Sequence, residues 1–274
     1  MANKLISILG CGWLGLPLAE RLTGAGHSVK GSTTSEEKLT LLRRKGIDAH
    51  LLQLSPDPVG DLTALVQADT LLIDIPPKAG KMGDSFHPQQ VRSIVEAVQG
   101  SRITHVIYVS STSVYAEANG IAREEDVTAL AQTAAPALFQ AETYVQALEP
   151  QRLVTILRCG GLMGYDRIPG KYVAGRTVDS GAVPVNYIHR DDAVDLLLHL
   201  IEKPLAGVFN AVAPEHPARE AIYRRSCMDF GYTLPTFVEP NTPVPYKVVS
   251  PDKLIQATGY QFHYPNPLDF YYSQ

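Results

Sequence analysis

Cysteine is scarce in this sequence, and its three copies lie far apart along the 274 residues. Cys11, Cys159 and Cys227 form no C-x-x-C pair. This spacing argues against a disulfide framework and against a zinc site, and it is typical of a protein in a reducing compartment. We therefore expect a cytoplasmic protein without a structural metal.

A long apolar run and an excess of basic residues are also missing. No apolar segment reaches the roughly 20 residues that a membrane-spanning helix needs. The short apolar run near the N-terminus is not followed by the small-residue cleavage site of a signal peptide. The 24 Lys and Arg are outnumbered by 28 Asp and Glu, which gives a net charge of −4. We expect neither nucleic acid nor a membrane among the partners.

The first half of the chain alternates short apolar runs with amphipathic segments. Strands are predicted at residues 4–10, 27–31, 48–54, 70–75, 105–110 and 153–158, and helices at 13–25, 36–45, 88–99 and 137–149. Such alternation predicts a parallel sheet covered by helices on both faces, which is a Rossmann-type doubly wound α/β fold.

The pattern changes after Arg158. Residues 159–187 are rich in glycine and lack periodicity, and predicted helices at 191–202, near 217–230 and at 251–258 follow, with a strand at 207–212. We predict a Rossmann domain at 1–160 and a smaller C-terminal α/β substrate lobe at 161–274, parts of which return to the Rossmann core. The sequence leaves a homodimer open.

A glycine-rich turn joins the first predicted strand to the first helix. Residues 10–15, GCGWLG, match G-x-G-x-x-G with Gly10, Gly12 and Gly15, and Trp13 and Leu14 lie inside the motif. In this strand–turn–helix context the motif predicts dinucleotide binding, with the pyrophosphate at the helix N-terminus. A tight turn without a ligand is the alternative.

The end of the second strand lacks the acidic residue that usually binds the ribose 2′-hydroxyl. No Asp or Glu lies between Glu20 and Glu36. Hydroxyl and basic side chains that could bind a 2′-phosphate are found here instead: Ser32, Thr33, Thr34, Ser35 and Lys38. This favours NADP as the cofactor, with NAD as the alternative. Ser35 is also explained as a helix cap.

Three blocks of sequence resemble a known family. GCGWLG, SSTSVY at 110–115 and VNYIHRDDAVDLLLHLIEKP at 185–204 are similar to extended short-chain dehydrogenase/reductases of the NAD(P)-dependent epimerase/dehydratase group. The longer pattern is similar to an atypical, poorly characterised bacterial branch that is nucleotide-sugar epimerase-like. The resemblance implies a Rossmann fold, a nicotinamide cofactor and a small polar or nucleotide-linked substrate.

The resemblance also implies catalytic residues, of which only part is present. Ser111, four residues before Tyr115, matches the family's Ser or Thr that polarises the substrate. The family's Tyr-x-x-x-Lys dyad is expected near Ala134 and Leu138. However, no tyrosine lies between Tyr115 and Tyr144, and no lysine between positions 81 and 171. Tyr115 as a substitute acid/base is one hypothesis, and a packing role is the alternative.

Further site residues follow from the same resemblance. Ile75, Pro76, Pro77 and Ser110 follow or end predicted strands, where the cofactor passes. Arg167, Lys171 and Arg176 lie in a glycine-rich segment that closes over the substrate's diphosphate in the family, although a solvated loop would look similar. His189 matches a recurrent family histidine, and its alternative is a structural role.

Two functions remain at this point. The first is an NADP-dependent oxidoreductase or epimerase-like enzyme with a relocated acid/base. The second is a non-catalytic NADP(H)-binding regulatory or sensor protein. The glycine turn supports both, the missing dyad favours the second, and Ser111 with the basic loop favours the first.

Overall fold

The computed structural model describes residues 3–55, 57–77 and 79–273, with the backbone alone at residues 79 and 80. Its largest element is an eight-stranded sheet. The sheet strands are β1 Leu5–Leu9, β2 Ser28–Thr33, β3 Asp48–Ser55, β4 Asp57–Gly60, β5 Thr70–Ile73, β6 His105–Ser111, β8 Leu153–Cys159 and β12 Gly207–Ala211.

The strand order of this sheet is β12-β8-β6-β5-β1-β2-β3-β4. The pairs β1–β2, β1–β5, β2–β3 and β5–β6 are parallel, and β3–β4 is antiparallel. The chain therefore builds outward from β1 in one direction, then restarts at β5 and builds in the other. In doubly wound sheets this reversal leaves a crevice at the carboxyl ends of the strands, where ligands bind.

Most helices follow a strand along the chain. The helices are α1 Gly15–Gly24, α2 Glu36–Arg44, α3 Leu62–Leu65, α4 Ala79–Met82, α5 Phe86–Gln99, α6 Pro136–Gln146, α7 Pro169–Val173, α8 Arg190–Glu202, α9 Arg219–Phe230 and α10 Asp252–Thr258. β5 is buried along its whole length, as expected for a central strand covered on both faces. No helix within the described ranges is long and apolar enough to span a membrane.

The chain divides into two compact units. The first contains residues 1–114, 135–158 and 194–208, and the second contains 115–134, 159–193 and 209–274. Short strands of the second unit pair in twos: β7 Gly120–Ala122 with β14 Lys247–Val249, β9 Gly161–Met163 with β11 Tyr187–His189, and β10 Thr177–Val178 with β13 Thr236–Phe237. The assignment of a cofactor domain and a substrate lobe to these segments stays a prediction.

The fold prediction is confirmed. Each predicted strand and helix of the first half is present, and its ends differ by at most three residues. The sequence did not predict β4, since this exposed edge strand contains a proline and a glycine, which are residues that strands avoid.

Candidate cofactor site and its surroundings

The glycine turn has the geometry of a close-packed strand-to-helix junction. Gly10 has φ +106°, a left-handed conformation that favours glycine. A Cβ at Gly10 would lie 2.2 Å from the Asp74 carbonyl oxygen, and a Cβ at Gly15 would lie 2.3 Å from the Gly10 carbonyl oxygen. These two glycines therefore permit close packing of the turn against β5 and of α1 against the turn.

Gly12 differs from both neighbours in the motif. A Cβ there would meet no atom within 4 Å, and the residue is exposed. Protein packing therefore does not require glycine at this position. The open space suits a cofactor pyrophosphate that approaches the backbone at the start of α1.

A cavity of about 610 Å³ adjoins this turn, within the range of roughly 300–1,000 Å³ of small-molecule sites. It is lined by nine residues predicted from the sequence: Gly10, Gly12, Ser32, Thr33, Thr34, Ser35, Lys38, Ile75 and Pro76. Five other residues predicted to bind the cofactor are not among those described as lining it: Trp13, Leu14, Gly15, Pro77 and Ser110. The structure thus brings together the glycine turn, the end of β2 and the segment after β5.

The remaining lining residues were not predicted. They are Cys11, Leu52, Gln53, Leu54, Ser55, Met82, Phe86 and Gln90. The four residues of β3 lie at its carboxyl end, where doubly wound sheets bind ligands, so the predicted fold contained a signal for them. The α4 and α5 residues carry no such signal, because their approach to the cavity depends on how the chain turns after β5.

The hydroxyl groups near the end of β2 have different roles. The Ser32 hydroxyl accepts the Gly10 N–H (3.0 Å), and the Thr33 hydroxyl accepts the Ser35 N–H (3.2 Å). The Ser35 hydroxyl accepts the Lys38 N–H (3.4 Å) and so caps α2, as predicted. Thr34 is exposed. The hydroxyls of Ser32, Thr33 and Ser35 thus stabilise the turn and the start of α2. The Thr34 hydroxyl takes part in none of the described hydrogen bonds.

The described lining of this cavity contains one charged residue, Lys38. Burial, followed by the negative charge of Asp74, raises the pKa of the Cys11 thiol to about 12, so this cysteine stays neutral. A cavity without a lining carboxylate is compatible with a phosphorylated ligand.

Ser110 lies at the end of β6 and contacts a buried ion pair. Its hydroxyl donates to Glu142 Oε1 (2.5 Å). The Glu142 carboxylate accepts from Arg158 Nη2 (2.7 Å) and Nε (3.1 Å). All three residues are buried. Buried charges require such pairing, so Ser110 contributes to the link between β6, α6 and β8.

The two predicted catalytic residues have different environments. Ser111 is half-buried at the end of β6, and its hydroxyl accepts the Ser113 N–H (3.1 Å). Tyr115 is buried, and its hydroxyl donates to Asn210 Oδ1 (2.7 Å). This contact gives the buried Tyr115 side chain a packing role, which was the alternative interpretation. The catalytic assignment of both residues stays a prediction.

Helix α6 occupies the place where the sequence resemblance puts the dyad. Ala134 precedes this helix, and Leu138 is buried in its first turn. The helix, PALFQAETYVQ, contains no lysine. Tyr144 lies in its last turn and its hydroxyl accepts from Gln140 Nε2 (3.1 Å). A Tyr-x-x-x-Lys pair therefore fits no register of α6.

His189 is fully buried. Its Nδ1 accepts the Asp191 N–H (3.2 Å), so Nε2 carries the proton and donates to the Tyr271 carbonyl oxygen (3.0 Å). Burial lowers the pKa of His189. A Cβ at Gly164 would lie 2.5 Å from Nε2. These contacts describe a neutral, packed imidazole, and its role in substrate binding stays a prediction.

The three basic residues of the glycine-rich segment are in the second unit. The Arg167 N–H donates to the Gly164 carbonyl oxygen (3.1 Å) in a tight turn. Lys171 is exposed on α7, and Arg176 is exposed just after it. None of the three is among the described lining residues of the 610 Å³ cavity. Their role as anion contacts also stays a prediction.

Comparison with known proteins identifies relatives over nearly the whole chain. Residues 10–204 match the model of an NAD(P)H-binding family. The chain is 35% identical to Protein YeeZ of Escherichia coli K12 over 269 residues, which covers 97% of this chain and 98% of the relative.

Solved structures share the fold at low sequence identity. One is UDP-glucuronic acid 4-epimerase from Bacillus cereus in complex with UDP-glucuronic acid and NAD (TM-score 0.77, 17% identity, 97% and 96% of the two chains). Another is a short-chain dehydrogenase/reductase superfamily protein from Agrobacterium tumefaciens with bound NAD (TM-score 0.75, 15% identity, 95% and 93%). The chain therefore belongs to the NAD(P)H-binding family and has the fold of the short-chain dehydrogenase/reductases.

Proposed function

We propose that this protein binds NADP in preference to NAD, as an epimerase/dehydratase-like short-chain dehydrogenase/reductase that lacks the usual dyad. One observation carries the proposal. A single cavity is lined by the glycine turn, by the hydroxyl-rich end of β2 and by the segment after β5, with no carboxylate among its described lining residues. A nicotinamide cofactor and a 2′-phosphate both fit this chemistry.

Different residues of the cavity would bind different parts of the cofactor. Gly12 leaves room for the pyrophosphate at the start of α1. Thr34 and Lys38, both exposed at the cavity, would bind the 2′-phosphate by a hydroxyl hydrogen bond and by charge. Leu52, Met82 and Phe86 supply apolar surface. The bound nicotinamide would supply a centre that accepts or donates hydride.

For the chemistry on the substrate, the chain offers less. Ser111 is the remaining residue of the family pattern, and a serine hydroxyl without a base cannot take a proton from an alcohol near neutral pH. The proposed substrate of an enzyme of this kind is small and polar or nucleotide-linked. The second candidate function is a non-catalytic NADP(H) sensor, and the absence of lysine from α6 together with the buried Tyr115 favours it.

Calorimetric titration with NADP and NAD tests the cofactor. We expect tighter NADP, and equal affinities or tighter NAD would contradict the proposal. A separate assay follows NADPH absorbance and product formation with UDP- and dTDP-sugars, for which we expect binding of cofactor without turnover. Robust turnover that is abolished by Ser111→Ala would show that another group serves as the base and would exclude the sensor function.

A further inference from the structure

A second cavity lies wholly within the second unit. Its volume is about 760 Å³, which is also within the rough range of small-molecule sites. Three segments form its walls: residues 179–184, one face of α9, and β13 with the chain that follows it to Tyr246.

Apolar and aromatic groups make up most of these walls. They are Ala182, Val183, Pro184, Phe237, Val238, Pro240, Pro243, Val244 and Tyr246. Gly181 lets the first segment lie against the others, because a Cβ there would come within 2.9 Å of Phe237 Cδ1 and 3.2 Å of Glu220 Oε2. The cavity therefore offers aromatic and aliphatic surface at its walls.

The charges at the cavity are predominantly negative. Asp179, Glu220 and Glu239 line it, and Arg224 is the one basic lining residue in the described chain. The Arg224 Nε donates to Glu220 Oε1 (2.6 Å), and its guanidinium carbon lies 4.7 Å from the centroid of the Phe237 ring. The arginine thus already contacts a carboxylate and an aromatic face, and three carboxylates against one guanidinium leave the described lining with an excess of two negative charges.

We propose that this cavity binds a small organic cation, an amine with an aromatic or aliphatic body. The ammonium group would lie near the carboxylates of Asp179 and Glu239, while the body packs against Phe237, Val244 and Tyr246. Opposite charges within a few ångströms attract, and aromatic rings favour cations at their faces. A nucleotide diphosphate would meet the same carboxylates and be repelled. This inference concerns the second unit and does not depend on the proposed cofactor function.

The probe for a test is tyramine, and its matched anion is 4-hydroxyphenylacetate. Ligand-observed NMR on the full-length protein should detect tyramine and not the anion. Glu239→Gln and Asp179→Asn should each weaken tyramine binding several-fold, and more at low salt than at high salt. Both residues are exposed, so these variants should fold, which a thermal melt checks. Glu125→Gln, at an exposed acid that does not line the cavity, is the matched control and should leave binding unchanged.

Three outcomes would overturn the proposal. The first is that neither probe binds at millimolar concentration. The second is that tyramine binds equally well to the wild type and to both cavity variants. The third is that uridine diphosphate displaces tyramine, since this would show an anion site in the same space. Weakened tyramine binding in both variants, with the control unaffected, would support it.

Discussion

The cavity beside the glycine turn and the cavity of the second unit have similar volumes, but the charged residues that line them are predominantly of opposite sign. The cavity of the first unit is lined by Lys38 and by no described carboxylate, whereas that of the second unit is lined by three carboxylates and the paired Arg224. The net charge of −4 for the whole sequence predicts the lining charges of neither cavity. The class of ligand proposed for each cavity therefore rests on the few charges that line it and not on the overall composition.

The two cavities also differ in how the chain builds them. In the first, backbone geometry dominates: a glycine turn, a helix start and the carboxyl ends of strands. In the second, side chains from three separate segments form the walls. Substitutions that only alter backbone space should therefore affect the first cavity, while the second should respond to the removal of individual side-chain charges.

The largest expected effect separates the two kinds of glycine in the turn. Gly12→Val should weaken NADP binding on the order of a hundredfold or more, because the valine side chain would fill the space for the pyrophosphate. Stability should change little, since a Cβ at Gly12 meets no atom within 4 Å. Calorimetry and a thermal melt measure the two quantities on the same sample.

Gly10→Ala is the matched comparison. Its Cβ would lie 2.2 Å from the Asp74 carbonyl oxygen in a backbone of φ +106°, so we expect a clear loss of stability. If Gly12→Val binds NADP as the wild type does, the open space at the turn is not the cofactor site.

The next effect concerns the choice between the two cofactors. Thr34→Asp should invert the preference, because an aspartate repels a 2′-phosphate and accepts a hydrogen bond from a 2′-hydroxyl. Each change of about 1.5 kcal/mol alters the ratio of affinities roughly tenfold, so two together give about a hundredfold. The ratio of NAD to NADP dissociation constants is the measurement.

Thr40→Asp provides the control for this inversion. Thr40 is an exposed threonine on α2, the helix that begins two residues after Thr34, and it does not line the cavity, so the same substitution there should leave the ratio close to that of the wild type. An equal shift in both variants would reveal a general charge effect and remove Thr34 from the proposed site.

A smaller effect is expected from the single lysine at the cavity. Lys38→Ala should weaken NADP by about fivefold at low salt and less at high salt, because an exposed charge contributes up to about 1 kcal/mol. NAD should be unaffected, since it lacks the 2′-phosphate. Lys45→Ala, at the end of the same helix and paired with Glu20, should change neither affinity. A loss of both affinities in Lys38→Ala would indicate a general contribution of this lysine to the fold.

Features that depend on neighbouring residues could be predicted from the sequence, whereas contacts between residues far apart along the chain could not. The first-unit sheet and the glycine turn were predictable, because apolar runs, a cap at Ser35 and glycines at fixed spacing are local patterns. The Ser110–Glu142–Arg158 contact was not, since it joins residues up to 48 positions apart. Likewise, the second cavity depends on segments that no short pattern relates, and the packing of Tyr115 against Asn210 spans 95 positions.

The smallest expected effect concerns the basic residues of the glycine-rich segment. If they contact an anion, the second unit has a region that attracts phosphate besides its acidic cavity. A triple variant, Arg167→Ala with Lys171→Ala and Arg176→Ala, should then weaken UDP-glucose or any other phosphorylated ligand that binds by about threefold to tenfold. Lys171 and Arg176 are exposed, and solvent screens exposed charges, so each contributes only about 0–1 kcal/mol.

Increasing salt should reduce the difference in affinity for the phosphorylated ligand between variant and wild type. In contrast, tyramine binding should be unchanged or slightly tighter in the variant, because three positive charges have been removed. If every phosphorylated ligand keeps its wild-type affinity in the triple variant, these three residues are a solvated surface. The cavity of the first unit is then the one site described here that is expected to attract phosphate.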